Sequence, residues 1–237
     1  MKGKLYGIGV GPGDPELITL KASRILGQVP VIFLPRSAAD KDSVAFGIVR
    51  DFVPETTTLV DLILPMSSDP DVLSQGWRTA AAKMATYLKE GRDGAFITLG
   101  DSVLFSTFTY LVRALRELDP ELVVETVPGV TSFSACAAGL NISLAEGDET
   151  VAVLPVVGEA VDVRGVLERF DNIVLMKVAG QLGEVIDLLQ EQGLDQQTVF
   201  ASRCSTDKQR YVFDLESLRG EKRDYLSLML VKKGGFN

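Results

Sequence analysis

The chain has 237 residues, 46 % of them apolar and 24 % charged, which excludes wholesale disorder and allows one large folded domain or two small ones. A formal charge of −8 argues against a nucleic-acid partner. With no histidine at all, neither a Ser-His-Asp nor a Cys-His device can be built, nor a His-ligated zinc or iron site.

Apolar strand-like runs alternate with helical patterns along the chain. Residues 5–8, 30–34, 59–64, 95–99 and 122–127 read as strands. Between the first two, Asp14 is a fitting N-cap with Pro15 at the first helical position, and Ile18, Ala22 and Ile25 repeat at helical spacing. Residues 71–90 and 105–118 read as helices, so this half is predicted to form a parallel sheet covered on both faces. The next strands are 151–157, 172–177 and 198–201, with helices over 163–170 and 181–192. Residues 211–213 and 225–231 follow as strands with a short connector, which predicts an antiparallel pair.

The segment Leu118-Asp119-Pro120-Glu121 is the candidate linker, dividing the chain into domains 1–119 and 120–237. The first holds 13 Lys and Arg against 14 Asp and Glu; the second holds 11 against 18. Almost all of the negative charge therefore lies in the second half. No apolar run approaches the roughly 18 residues of a membrane-spanning helix. After Met1-Lys2-Gly3-Lys4 the chain reaches Asp14 too early for a secretory signal, and Cys136 and Cys204 make neither a disulfide framework nor a zinc cluster. The expectation is a cytoplasmic protein with no membrane partner and no metal of its own.

Three loops carry the chemical signal, each after a predicted strand. The first is Gly7-Ile8-Gly9-Val10-Gly11-Pro12-Gly13-Asp14-Pro15. Its glycines allow a tight turn and close backbone approach, but it fails the dinucleotide spacing G-x-G-x-x-G, because the third glycine would fall on Pro12 or Asp14. The second is Thr98-Leu99-Gly100-Asp101-Ser102, where Asp101 is either a ligand contact at a strand's carboxyl end or a helix cap. The third, Val127-Pro128-Gly129-Val130-Thr131-Ser132, offers amides and hydroxyls at a helix start.

In this order and at these distances, the loops Gly9-Val10-Gly11-Pro12-Gly13-Asp14, Leu99-Gly100-Asp101 and Pro128-Gly129-Val130-Thr131-Ser132 resemble those of the tetrapyrrole methylases, over essentially the whole chain. The resemblance implies a class III methyltransferase fold of two α/β domains with the active site in the cleft between them, distinct from the Rossmann-type methyltransferases. It also implies S-adenosylmethionine as methyl donor, a small tetrapyrrole substrate and a homodimer. Within the family, Leu64-Pro65-Met66-Ser67-Ser68-Asp69, Trp77 and Ser106-Thr107-Phe108-Thr109-Tyr110-Leu111 resemble the members acting at carbon 20 of precorrin-2 or cobalt-factor II in corrin synthesis. Two positions depart from the pattern. Ser102 stands where the family usually has proline, and Phe105 where the carbon-20 members commonly have tyrosine.

By the same resemblance the donor contacts are Pro12, Leu99, Gly100, Asp101, Leu104, Thr131, Ser132, Met176 and Cys204. Met176 fits equally well as a core residue, and Cys136, inside a predicted helix, reads as a small core residue. The substrate is a polycarboxylate, so local cations are needed, and Arg36, Lys177, Arg203, Lys208 and Arg210 are the candidates. No catalytic residue is assigned, because an electron-rich ring carbon is its own nucleophile and alignment supplies most of the gain. Rival readings are a family member acting at another ring position, diphthine synthase, and a non-enzymatic nucleotide-binding regulator.

Overall fold

A computed structural model describes residues 2–38, 40–67, 69–157, 162–221 and 224–236. Ser68, quoted above, lies outside them. The chain divides into two compact units, Met1–Thr131 and Ser132–Asn237.

The first unit is built on five parallel strands, β1 (Leu5–Gly9), β2 (Val31–Arg36), β3 (Thr58–Ile63), β4 (Gly94–Thr98) and β5 (Val124–Val127), in the order β3-β2-β4-β1-β5. Strand alternation sorts their side chains. Leu5, Phe33 and Phe96 point to one face, where they meet Met84 and Leu88 of α3 (Pro70–Lys89) and Phe108 and Leu111 of α4 (Phe108–Leu118). Ile8, Ile32 and Ile97 point to the other, against Ile25 of α1 (Leu20–Leu26) and Ile48 of α2 (Val44–Val49). Each such fully buried side chain contributes about 1.5–3 kcal/mol. Gly7 is part of this packing, since a β-carbon there would fall 2.0 Å from Cε1 of Phe108.

Three expectations for this unit change. Asp14 caps only a 3-10 turn over Pro15–Leu17, and the helix begins later, where Thr19 Oγ1 accepts from Ala22 N. Ile18 ends the turn in extended conformation, which resets the chain before α1. The helix expected from residue 105 starts at Phe108, because Phe105 is left-handed at φ +50°. The unit ends after Thr131 and not at Asp119, because β5 pairs with β1 and completes the first sheet. The short helix α2, capped by Ser43, has no counterpart among the predicted elements.

The second unit opens with α5 (Ser132–Leu140) and holds β6 (Val151–Pro155), α6 (Val163–Arg169), β7 (Asn172–Met176), α7 (Leu182–Glu191), β8 (Thr198–Ser202), β9 (Arg210–Val212) and β10 (Ser227–Lys232). Its sheet runs β6-β7-β10-β8-β9. Only β6 and β7 are parallel; β10 lies antiparallel between β7 and β8, and β9 is antiparallel to β8. The expected antiparallel pairing of the last two strands with each other does not form; instead β8 lies between them and both run antiparallel to it, so they point the same way. All six residues of β10 are buried, so an inner position between two partners is where its apolar run fits. Among the described residues no helix is long and apolar enough to cross a membrane.

Candidate functional site

At the carboxyl edge of the first sheet, β4, β1 and β5 are neighbours, so the three glycine-bearing loops emerge side by side. They are joined backbone to backbone. Val10 N donates to Thr98 O at 3.0 Å, Gly11 N to Gly100 O at 3.1 Å, and Gly100 N back to Gly11 O at 2.7 Å. The parallel ladder thus ends in an antiparallel bridge, Gly11 to Gly100, with both residues left-handed at φ +83° and +71°. A β-carbon on Gly9 would fall 2.7 Å from Gly100 O, and one on Gly129 would fall 2.2 Å from the same oxygen. The chain approaches that closely only without side chains.

Asp101 ties this junction. Its Oδ1 accepts from Val103 N (2.9 Å) and Leu104 N (3.0 Å), and its Oδ2 from Gly129 N (2.9 Å). Three of the carboxylate's roughly four lone-pair positions are thereby taken by amides of two loops. Asp101 does not cap α4, whose N-cap is Thr107. Next to it, buried Ser102 donates its hydroxyl to Val127 O at 2.8 Å. Where a proline would stiffen the turn by its ring, this chain ties the turn to β5 by a hydrogen bond.

The remaining first-unit candidates surround the junction. Pro12 is buried, Leu99 and Leu104 are half-buried, and Thr131 is the last residue before α5, which Ser132 begins. A β-carbon on Gly100 would meet nothing nearer than Val130 O at 4.0 Å, so the space above this glycine is open. That open space, lined by main-chain polar groups, fits a small polar ligand held by the backbone.

In the second unit, Met176 ends β7 and packs with Cys204, which follows β8. Both join one apolar cluster with Cys136 and Ala137 of α5 and Leu228 of β10. The hydrogen bond to Cys204 and burial among these side chains push the Cys136 thiol far up, so it stays protonated. Tyr211 reaches over α5, its hydroxyl donating to Cys136 O at 3.4 Å, and burial lifts its phenol to about 12.

The candidate cations are distributed unevenly. Arg36, the last residue of β2, pairs with Asp61 at 2.6 Å and donates to Lys41 O at 3.2 Å. Arg203, Lys208 and Arg210 come together around a cavity of about 240 Å³ in the second unit, with Ser202 and Ser227. There Arg203 is paired with Asp224 at 2.5 Å, and Arg210 holds Glu221 through both Nη atoms at 2.5 and 2.9 Å. Lys177, left-handed at φ +60°, follows Met176 and is not among the lining residues. Sequence reasoning missed one arrangement altogether. Trp77 of α3 and Tyr110 of α4 are stacked with centroids 4.3 Å apart and planes 5° from parallel. The two residues are distant in the chain, and no local pattern announces their contact.

Residues 4–218 match the family model of the Tetrapyrrole (Corrin/Porphyrin) Methylases. The chain is 37 % identical over 232 residues to the probable cobalt-precorrin-2 C(20)-methyltransferase of Methanocaldococcus jannaschii, covering 97 % of this chain and 96 % of that protein. It is 35 % identical over 234 residues to the cobalt-precorrin-2 C(20)-methyltransferase of Salmonella typhimurium, covering 98 % of each. Among solved structures, the uroporphyrin-III C-methyl transferase of Thermus thermophilus complexed with S-adenyl homocysteine superposes with a TM-score of 0.71 at 25 % identity, over 98 % of this chain and 92 % of that one.

Proposed function

On the premise that this chain belongs to the tetrapyrrole methylase family, we propose that it is an S-adenosylmethionine-dependent C-methyltransferase adding one methyl to carbon 20 of cobalt-precorrin-2, in cobalamin synthesis. The observation that carries this reading is the near-full-length likeness to two proteins named for that substrate and that carbon. Cobalt enters as part of the substrate. A homodimer in the cytoplasm, with no metal of its own, is the form the family resemblance favours.

When bound, S-adenosylmethionine supplies a methyl carried on a sulfonium, open to in-line attack by a carbon nucleophile. The chain's task is to hold and align. In the first unit the donor contacts are Pro12, the Leu99-Gly100 backbone, Leu104 and Thr131, and Ser132 adds one from the start of the second unit. Support comes from the open space over Gly100 and from the amides and hydroxyls around it, which suit a ribose and an amino acid. Asp101 acts here as a positioning residue, because its carboxylate is engaged by Val103, Leu104 and Gly129 amides. Met176 supplies an apolar contact in the second unit, and beside it the Cys204 thiol is 4 % exposed and so withdrawn from alkylation. Arg36, Lys177, Arg203, Lys208 and Arg210 remain the candidates for the substrate's carboxylates, three of them exchanging a present carboxylate partner. Holding two reactants in attack geometry is worth on the order of 7–11 kcal/mol. Carbon 20 takes the methyl, leaving the bonding pair on sulfur as a thioether, and gives up one proton to solvent; no side chain is assigned as its base.

The test is regiochemical. The protein is incubated with precorrin-2 or its cobalt complex and a ¹³C-methyl donor, and the product is read by NMR. Label at carbon 20, with faster turnover of the cobalt complex, is expected. Label at a ring β-carbon overturns the carbon-20 assignment, and preference for the metal-free substrate overturns the cobalt assignment.

A further inference from the structure

The carboxyl edge of the first sheet has a second side. The loop from Leu99 to Thr107 begins in the glycine junction and ends at α4, so residues 103–110 lead away from it without leaving the edge. The loop after β3 arrives at the same edge, and Pro65 there lies against Gly76 so closely that a β-carbon on the glycine would sit 2.5 Å from the proline Cδ. This seats Met66 beside the first turns of α3. Met66, Val72, Val103, Phe105 and Tyr110 are each 42–65 % exposed. All five stand on the loops that follow β3 and β4 or on the first turns of α3 and α4, the two helices that carry the stacked Trp77 and Tyr110.

The stack is not core filling alone. Tyr110 faces outward from α4, whose buried face is Phe108, Leu111, Ala114 and Leu115. Trp77 lies half-buried beneath it and fixes the ring's plane. One turn further along α4, the Arg113 guanidinium lies over the Tyr110 ring, 5.8 Å from its centre, a cation beside an apolar surface. Resting on the methyltransferase reading above, we propose that Trp77, Tyr110, Met66 and Phe105 form a shelf that receives the flat face of the tetrapyrrole ring, with Arg113 meeting a carboxylate arm, and so select which ring carbon is presented for methylation. Three observations favour this occupant. The shelf is continuous, through the Leu99-to-Thr107 loop, with the loops assigned to the donor. A rigid planar stack matches a planar conjugated ring. The near-neutral charge of residues 1–119, with Arg113 beside the ring, suits a polycarboxylate better than the net charge of residues 120–237, with 18 acidic against 11 basic groups, where the cations are confined to local clusters.

The experiment compares Tyr110→Ser and Tyr110→Phe with the unsubstituted protein. It measures KM and kcat for the tetrapyrrole, S-adenosylhomocysteine affinity by calorimetry, label position by NMR and self-association by sedimentation. Tyr110→Ser is expected to raise KM about tenfold, the equivalent of about 1.4 kcal/mol, and to move part of the label off its original carbon. Its S-adenosylhomocysteine affinity stays within about twofold, and Tyr110→Phe restores both KM and regiochemistry. An unsubstituted protein that methylates its substrate while Tyr110→Ser keeps the same KM and label position overturns the shelf and leaves the methyltransferase reading standing. A Tyr110→Ser protein that loses self-association with KM unchanged assigns the surface to a second copy of the chain and also overturns it. An unsubstituted protein that methylates no tetrapyrrole removes the methyltransferase reading, and the shelf with it.

Discussion

Replacing Asp101 by alanine separates a residue that holds loops from one that holds a ligand. Of its three backbone hydrogen bonds, that from Val103 N lies in an exposed setting, where water replaces the lost acceptor at little net cost. Those from Leu104 N and Gly129 N are part-buried. A hydrogen bond to a charged group is worth about 1.5–3 kcal/mol, so the loss of two part-buried ones comes to roughly 3–4 kcal/mol after allowing for partial rehydration. Asp101→Asn keeps an oxygen for Leu104 but turns an N–H donor towards Gly129 N, and is expected to cost about half as much. The chain's single tryptophan, Trp77, lies in the first unit and makes the assay specific, because its fluorescence during urea unfolding reports that unit alone. The ordering wild type, Asn, Ala should appear in the midpoint, with S-adenosylhomocysteine affinity falling in the same order. If Asp101→Ala unfolds with the unsubstituted midpoint yet binds no S-adenosylhomocysteine, the carboxylate is a direct ligand contact and the loop-tying account is wrong.

Gly129→Ala should be more damaging than Gly11→Ala: the first sets a β-carbon 2.2 Å from Gly100 O, while the second mainly meets the left-handed penalty of about 1–2 kcal/mol. Urea midpoints of the two variants, read by Trp77, rank them. The ion pairs of Glu125 with Lys21 and Lys4 hold its carboxyl down at about 2. A lowered carboxyl contributes stability that is complete above its ordinary value near 4.5 and is lost as pH falls towards 2, so Glu125→Gln should flatten the acid limb of the first unit's stability profile over that window.

The parts of the fold visible in the sequence are those set by neighbours in the chain. The apolar runs around Phe33 and Phe96, and the glycines after strands, are local patterns with local causes, and they suffice to locate the three loops. The joining of those loops is not visible there, because it depends on β4 and β5 flanking β1, a matter of strand order. Asp101 illustrates the same limit. Its position at a strand end is local, but its bond to Gly129 N connects residues that only the sheet brings together. The start of α1 is displaced from its expected place because Asp14 and Pro15 form a valid cap that Ile18, in extended conformation, ends after one 3-10 turn. The partners of β10 differ from the expected one because hairpin proximity is the usual guide, while a strand apolar throughout is stabilised by two neighbours.

The strand order of the first sheet also bears on how the protein is made. Leu5 sits between Gly94 and Val124, so the strand synthesised earliest is flanked only by strands synthesised late. At roughly 5–20 residues per second, β1 leaves the ribosome many seconds before it has an edge to pair with. Until then its apolar run, and the glycine loop behind it, belong to an unstructured nascent chain. Parallel pairing at such separations is slow by nature, since the whole intervening loop must be closed before any bond rewards it. The second unit defers completion in the same way, because its sheet stays split until β10 enters between β7 and β8. Chaperone dependence during synthesis, and poor recovery from concentrated denatured protein, are the expected costs of placing three loops so closely together from such distant parts of the chain.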